Sequence, residues 1–352
     1  MCIKIEYRSF YRPSAIILLW LALFFANDAW AQKPTISAIN KSNSEVDATI
    51  LITGNNFGTD KNNIAVFFGG AKGEISTIAN NQLEVKVPPS TTYDNISITN
   101  LTTGLTAYNK TPFFLSFGGS GFNSSPWSTQ FNFQDTTKLN ELCMCDFNGN
   151  GKLDIATANN ASNFISIWRN TSNLSTINYS RTKINVLSPT FSVTCGDIDG
   201  DGKPDLVLSK DGTNRDRIFV LRNISTTETI AFASVQNYFT TNFGSMLVKL
   251  KDLDNDGKPD IILTDRTSTN NKIFIFKNSS VPGTISFDAT AIELLSTAAT
   301  SHALEVADLN GDGYPEIIIS PEIGENVYVF TNSSSPGSIS FPKVKVFTVP
   351  GS

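Results

Sequence analysis

The chain of 352 residues carries 27 Lys and Arg against 32 Asp and Glu, a net charge of −5, and a single histidine, His302. That length allows two or three domains, and 40% hydrophobic residues suffice for folded cores. The lack of any basic tract excludes a nucleic-acid-binding stripe, and one imidazole excludes every metal site that needs two. Phe far outnumbers Met, and Asn, Ser and Thr are abundant, a composition suited to an extracellular β-protein with polar turns.

At the N-terminus Lys4, Arg8 and Arg12 form a basic start, followed by an apolar run from Ala15 to Ala26. Twelve residues fall short of the roughly 20 that a membrane-spanning helix needs. Ala29-Trp30-Ala31 then supplies a small-x-small cleavage pattern, so residues 1–31 are expected to be a signal peptide and the mature chain to begin at Gln32. The protein is therefore expected to be secreted or held at the cell surface, with no transmembrane span after cleavage. Export permits disulfides, but Cys2 leaves with the signal and the remaining Cys143, Cys145 and Cys195 are odd in number. Counted back from the aspartate that follows each, Cys195 falls on the side of Val193, Leu250 and Val306 as a small core hydrophobe, and Cys143 and Cys145 fall on the opposite face.

From Pro34 short apolar strands alternate with turns. Thr49–Thr53 ends at Gly54-Asn55-Asn56, Ile64–Phe68 ends at Gly69-Gly70, Leu83–Val87 stops at Pro88-Pro89, and Ile96–Asn100 follows. This punctuation predicts an antiparallel sandwich over residues 33–116. Pro34-Thr35-Ile36, Ile52-Thr53-Gly54 with Phe57-Gly58, Val66-Phe67-Phe68-Gly69 and Val85-Lys86-Val87-Pro88 resemble the IPT/TIG module. The resemblance implies an immunoglobulin-like fold of the kind found in cell-surface receptors and bacterial surface proteins, here expected to act as a passive spacer. Residues 117–130 read as a linker or partial blade, since Gly121 to Phe133 looks like the end of a repeat without its beginning.

A tandem repeat fills residues 131–352. Four acidic segments align without gaps, Asp146–Asp154, Asp197–Asp205, Asp252–Asp260 and Asp308–Glu316, with starts 51, 55 and 56 residues apart. Each is followed by an apolar strand (at Ile155, Leu206–Leu208, Ile261–Leu263 and Ile317–Ile319) and by an alternating strand ending in Asn170, Asn223, Asn278 or Asn332. A last short strand is expected around Tyr179, Phe232, Phe287 and Phe341. Units of four short strands cannot bury both faces of a sheet alone, so they are expected to stack as β-propeller blades. Four units are few for a closed ring, and the expected architecture is all-β: an immunoglobulin-like β-sandwich plus propeller-type blades in an incomplete or open ring.

The pattern is similar to FG-GAP/VCBS repeats, the units of integrin α-subunit propellers, in which the acidic loop between the first two strands of a blade is the calcium site. Ca²⁺ takes six to eight hard oxygen ligands in a flexible shell. Side chains at positions 1, 3 and 5 can turn inward: Asp146, Asn148 and Asn150; Asp197, Asp199 and Asp201; Asp252, Asp254 and Asp256; Asp308, Asn310 and Asp312. Glycine at position 6 allows the bend, the backbone carbonyl at position 7 (Lys152, Lys203, Lys258, Tyr314) can face the ion, and the carboxylate at position 9 (Asp154, Asp205, Asp260, Glu316) closes the site. An EF-hand is excluded, because its twelfth position here is Thr157, Leu208, Leu263 or Ile319. By ligand charge the second and third loops are expected to bind tightest and the first most weakly.

No catalytic set is visible. His302 stands alone before the fourth loop, there is no nucleophile elbow or P-loop, and most of the paired carboxylates are committed to the calcium loops. The Asn-x-Ser/Thr triplets at Asn95, Asn223, Asn278 and Asn332 read as a product of composition rather than as glycan acceptors. The expected function is a non-catalytic binding or adhesion protein with a glycan or an extracellular protein as ligand; the alternative is the non-catalytic portion of a larger secreted carbohydrate-active enzyme.

Overall fold

The computed structural model describes residues 33–116, 138–173, 176–210, 218–238, 247–264, 272–295, 301–321 and 325–348. The expected signal segment and the expected linker or partial blade at 117–130 lie outside the described residues. No helix among the described residues is long and apolar enough to cross a membrane.

The first part is a sandwich of two four-stranded sheets. One holds β1 (Thr35–Ile39), β3 (Thr49–Asn55), β7 (Gln82–Lys86) and β6 (Glu74–Ala79) in the order β1-β3-β7-β6. The other holds β5 (Ala71–Lys72), β4 (Ile64–Phe68), β8 (Ile96–Asn100) and β9 (Leu105–Tyr108) in the order β5-β4-β8-β9. A short parallel pair of β2 (Asn43–Ser44) and β10 (Phe114–Leu115) lies beside them. Alternation places Ile50, Ile52, Leu83 and Val85 of one sheet against Val66, Phe68, Ile96 and Ile98 of the other, and Phe57 and Phe113 complete the core. Strand β4 breaks the alternation: all five residues of Ile-Ala-Val-Phe-Phe are buried. Ile64, Val66 and Phe68 face the sandwich core, and Ala65 and Phe67 on the other face are covered by the repeats.

The repeats form four antiparallel sheets, each built from four consecutive strands in chain order. The first is β11 (Leu139–Cys145), β12 (Asp154–Asn159), β13 (Phe164–Asn170) and β14 (Tyr179–Asn185); the second is β15 (Thr190–Gly196), β16 (Asp205–Lys210), β17 (Ile218–Leu221) and β18 (Gln236–Tyr238). The third is β19 (Val248–Lys251), β20 (Asp260–Thr264), β21 (Lys272–Phe276) and β22 (Ile292–Leu295); the fourth is β23 (Ser301–Ala307), β24 (Glu316–Pro321), β25 (Asn326–Thr331) and β26 (Lys343–Thr348). The fourth strand of the first sheet begins at Tyr179, as expected, but those of the second and third sheets do not begin at their aromatic residue. Phe232 and Phe287 make only isolated bridges, to Asn223 and Asn278, and the pairing strands begin several residues later. The aromatic rings are spent on packing into the inter-sheet cores, which moves the ladder downstream.

Each inner sheet buries both faces. Leu206, Leu208, Phe219 and Leu221 of the second sheet pack on Ala156, Ala158, Ile165 and Ile167 of the first. The alternate residues Val207, Ile218 and Val220 pack on Ile261, Leu263, Phe274 and Phe276 of the third. Ile262, Ile273 and Ile275 of the third then meet Ile317, Ile319, Tyr328 and Phe330 of the fourth. This is why the central strands read as continuous apolar runs instead of alternating. Strand β26 is exposed along its whole length.

Residues 33–352 form one compact unit, so the sandwich is not a detached spacer. It sits on the acidic loops. Asp146 N–H donates to Gly70 O at 2.9 Å, Thr106 N–H to Gly257 O at 3.0 Å, and Lys33 Nζ to Asn255 O at 2.8 Å. The closest approach is glycine on glycine: a Cβ at Gly200 would lie 2.2 Å from Gly104 Cα and 2.3 Å from its carbonyl oxygen. Gly200 also has φ +70°. Gly200→Ala is therefore expected to cost about 2–4 kcal/mol, combining left-handed strain with overpacking against backbone that cannot yield. Gly311→Ala, at φ +78° with open space around the added carbon, is the control and should cost only about 1 kcal/mol. Urea unfolding of the two variants checks the contrast, and equal losses would refute the packing argument.

Candidate metal centre

Each acidic loop joins the first two strands of a sheet, and its ninth residue closes the ladder. Cys145 pairs with Asp154, Gly196 with Asp205, Lys251 with Asp260, and Ala307 with Glu316. The bend needs positive φ twice. Position 6 is glycine in every loop, at +81° to +92° for Gly202, Gly257 and Gly313 and +83° for Gly151; position 4 is also left-handed, at Gly149, Gly200, Asn255 and Gly311. The second requirement was not anticipated from the sequence, although glycine or asparagine at that position is its signal.

The loop backbone then organises the carboxylates in the same way four times. The N–H of position 6 donates to position 1: Gly151 to Asp146 at 2.7 Å, Gly202 to Asp197 and Gly257 to Asp252 at 2.9 Å, and Gly313 to Asp308 at 2.8 Å. The N–H of position 7 donates to Oδ1 of position 5 (Asn150, Asp201, Asp256, Asp312) at 2.8–3.0 Å. Position 9 accepts the N–H of position 2, and in the first three loops also the N–H of the asparagine that follows β13, β17 or β21 or ends it. The lysines at position 7 reach out of the loop, with Lys152, Lys203 and Lys258 Nζ donating to the carbonyls of Ser172, Ser225 and Ser280 at 2.7–2.9 Å.

In the second and third loops the acidic oxygens converge. One ligand atom each from Asp197, Asp199 and Asp205 lies within 4.8 Å of the others, and the same holds for Asp252, Asp254 and Asp260. Among the described residues these are the two such groups. Asp199, Asp205, Asp254 and Asp260 are fully buried or nearly so. Burial, with the Asp201 and Asp199 charges beside it, pushes the Asp197 carboxyl up to about 8, although one side of the residue borders a cavity. Burial raises Asp205 and Asp260 strongly as well, and holds Asp252 at about 6 even with the Lys33 ammonium 3.6 Å away. Negative charge packed this way is unfavourable without a cation.

Two observations are compatible with oxygen donors that could hold a metal ion. Oδ1 of Asp197 and Oδ1 of Asp252, both at position 1, are buried without a hydrogen-bond partner. In the first loop Oδ1 of Asn148, at position 3, is likewise buried and unpartnered. A buried acceptor left unpaired is costly, and a metal is one way to satisfy it. The first loop brings only two carboxylates, Asp146 and Asp154, both fully buried, with Asp154 held at about 6 by burial; Asn150 is exposed. The fourth differs most. Asp308, Asn310 and Asp312 are exposed, Asn310 Nδ2 donates to Asp312 at 3.0 Å, and only Glu316 is buried. The sandwich covers the first three loops, whereas the fourth is reached by Asn255 Nδ2 donating to Gly313 O at 2.9 Å.

Sequence reasoning missed two kinds of residue, an asparagine that links sheets in the last three repeats and a basic residue that pairs with the loop in the second and third. The first is the asparagine after the alternating strand. Asn223 Nδ2 donates to Pro204 O in its own loop and to Phe147 O in the preceding loop; Asn278 does the same to Pro259 O and Ile198 O, and Asn332 to Pro315 O and Leu253 O, all at 2.8–2.9 Å. Their Oδ1 atoms accept the N–H of Ser225, Ser280 and Ser334. The Asn-x-Ser triplets at these three positions are thus buried turns that lock sheet to sheet. The second missed residue is the basic one before that asparagine. Arg222 donates from Nε to Asp199 at 2.5 Å and from Nη2 to Asp201, and Lys277 donates to Asp254 and, at 2.6 Å, to Asp256.

The three thiols meet, because opposite faces of adjacent sheets pack together. Cys143 and Cys145 of β11 and Cys195 of β15 join one inter-sheet core and border a cavity of about 300 Å³ between sandwich and repeats. None is in a disulfide, and burial, with the neighbouring thiols, pushes Cys195 up.

Residues 34–117 match the IPT/TIG domain, and residues 146–208 and 252–319 match the FG-GAP-like repeat. No curated protein matches the chain. Solved structures similar to it include two described as auxiliary nutrient binding proteins. One, from Bacteroides thetaiotaomicron, is 12% identical with a TM-score of 0.31, covering 91% of this chain and 87% of its own. The other, from Bacteroides ovatus, is 8% identical with a TM-score of 0.33, covering 88% and 85%. A putative 6-phosphogluconolactonase from Bacteroides fragilis is 14% identical with a TM-score of 0.42, covering 88% and 85%. By its own sequence and strand pattern, this chain carries an IPT/TIG domain followed by FG-GAP-like repeats.

Proposed function

We propose that this is an exported, non-catalytic binding protein whose repeats are blades of an open or incomplete propeller held in shape by calcium. The observation that carries the metal reading is the pair of buried, unpartnered oxygens of Asp197 and Asp252, each beside two further converging carboxylates. When bound, calcium supplies a partner for the two oxygens that no hydrogen bond satisfies. Asp197, Asp199 and Asp205 would hold one ion and Asp252, Asp254 and Asp260 another, joined by oxygens of Asp201, Asp256 and the carbonyls of Lys203 and Lys258. The first loop (Asp146, Asn148, Asn150, Lys152, Asp154) and the fourth (Asp308, Asn310, Asp312, Tyr314, Glu316) would be weaker. The site is built for structure: each loop ties into its neighbour through Asn223, Asn278 or Asn332, and metal binding energy becomes folding energy.

Binding of a glycan or an extracellular protein is the role left to the exposed surface, and the absence of catalysis follows the commitment of the acidic side chains to the loops. Calorimetric titration of the EDTA-treated, dialysed chain is expected to show at least two calcium sites that magnesium fills less tightly, since rigid octahedral geometry suits these loops poorly. A flat titration would remove the metal from this reading. A glycan array probed in calcium tests the ligand class, and retention of a protein partner alone would exclude the glycan.

A further inference from the structure

The loops of the second and third sheets carry a cation of their own. Position 3 accepts the position-5 N–H through one carboxylate oxygen, at 3.1 Å in both Asp199 and Asp254. Position 5 accepts the position-7 N–H the same way, at 3.0 Å in Asp201 and Asp256. That leaves one oxygen on each. Arg222 takes both of those oxygens in the second loop, and Lys277 takes both in the third. The arrangement follows the charge of the loop. In the first repeat the equivalent residue is Arg169, positions 3 and 5 are Asn148 and Asn150, and the buried Nε of Arg169 finds no partner. In the fourth the equivalent is Thr331, which brings no charge, and the loop is exposed.

We infer that Arg222 and Lys277 are internal stand-ins for the metal: their head groups bridge positions 3 and 5 while no ion is present and must leave when one binds. This rests on the calcium reading above and extends it to what sets affinity. The physical reason is that a carboxylate with one oxygen committed to the loop backbone has one to give, and it cannot serve a guanidinium or ammonium and a divalent ion equally well. Like charge at the same point adds repulsion. Two of the loops with the most carboxylates would then bind less tightly than their ligand charge implies, and would stay ordered without an ion.

The test uses the full mature chain and the variants Arg222→Gln, Lys277→Gln and Thr331→Arg, with calcium chloride as the titrant and far-ultraviolet circular dichroism to confirm folding. Removing the head group is expected to tighten calcium at the corresponding loop about tenfold, or about 1.4 kcal/mol, and to lower the melting temperature in EDTA. Thr331→Arg is expected to weaken calcium at the fourth loop while leaving the others alone. Unchanged or weaker calcium binding in Arg222→Gln and Lys277→Gln, with their EDTA melting temperatures unchanged, overturns the inference. Absence of calcium binding by the parent chain would strike the metal reading itself; the EDTA melting temperatures would still decide whether the basic groups hold the loops.

Discussion

In EDTA the protein is expected to melt at a higher temperature at pH 5 than at pH 8, and in millimolar calcium at pH 8 it is expected to gain about 10 °C or more. The first half follows from the raised carboxyls. Asp197 is pushed up to about 8, and Asp154 and Asp252 to about 6, in each case chiefly by burial. In the unfolded chain these groups lose their protons near pH 4. Between there and their folded values the native state holds protons that the unfolded state has released, so stability falls as pH rises through that window. Their contribution is fully present below about pH 4 and gone above about pH 8. Calcium reverses the balance, because it needs the ionised form and binds only the folded loops. Two sites at a hundredfold excess over their dissociation constants would each add about 2.7 kcal/mol, and for a chain of this size each kcal/mol raises the melting temperature by about 2–4 °C. Thermal scans at pH 5 and 8 in EDTA and in calcium decide the matter. Identical melting in calcium and EDTA at pH 8, or rising stability from pH 5 to 8 in EDTA, contradicts the account.

Asn278→Ala is expected to destabilise the protein by about 3–5 kcal/mol. Its amide donates to the carbonyls of Ile198 and Pro259 at 2.9 and 2.8 Å, and its Oδ1 accepts the N–H of Ser280 at 2.8 Å, all in buried surroundings. Truncation leaves three backbone groups without partners, each worth about 1–3 kcal/mol when dry, partly offset where water enters. It also severs the third sheet from the loop of the second. Asn170→Ala is the comparison. Asn170 donates to Leu153 O at 3.0 Å within its own repeat and is only half-buried, so its loss should cost about 1–2 kcal/mol. Guanidinium unfolding of both variants measures the difference. Equal costs would mean that the link across sheets contributes nothing beyond local turn formation.

Much of this architecture was legible in the chain. The four acidic segments recur at nearly constant spacing because each must fill the same corner between two strands. Ile165 to Asn170 and its three counterparts repeat because each sheet presents the same two faces to its neighbours. Gly151, Gly202, Gly257 and Gly313 were readable as bends, since a left-handed residue at the sixth position leaves its mark in composition. The covering of the loops was not legible. Ile64–Phe68 is a fully apolar run, and such a run is equally consistent with a strand in a thick sandwich and with one that carries a second domain on its back.

The residue types alone determined an all-β chain with a sandwich, a repeated sheet and oxygen-rich hairpins, because strand alternation, turn glycines and acidic spacing are local properties written every few residues. Only the tertiary structure decided which hairpins are buried, which oxygens lack a partner, and that Arg222, Lys277 and the asparagines beside them belong to the loops. Those residues lie some twenty positions from the carboxylates they touch, and the asparagines reach carbonyls nearly eighty positions away. No local pattern records such a pairing, since it arises from the stacking of one sheet on the next and from the sandwich seated over the loops.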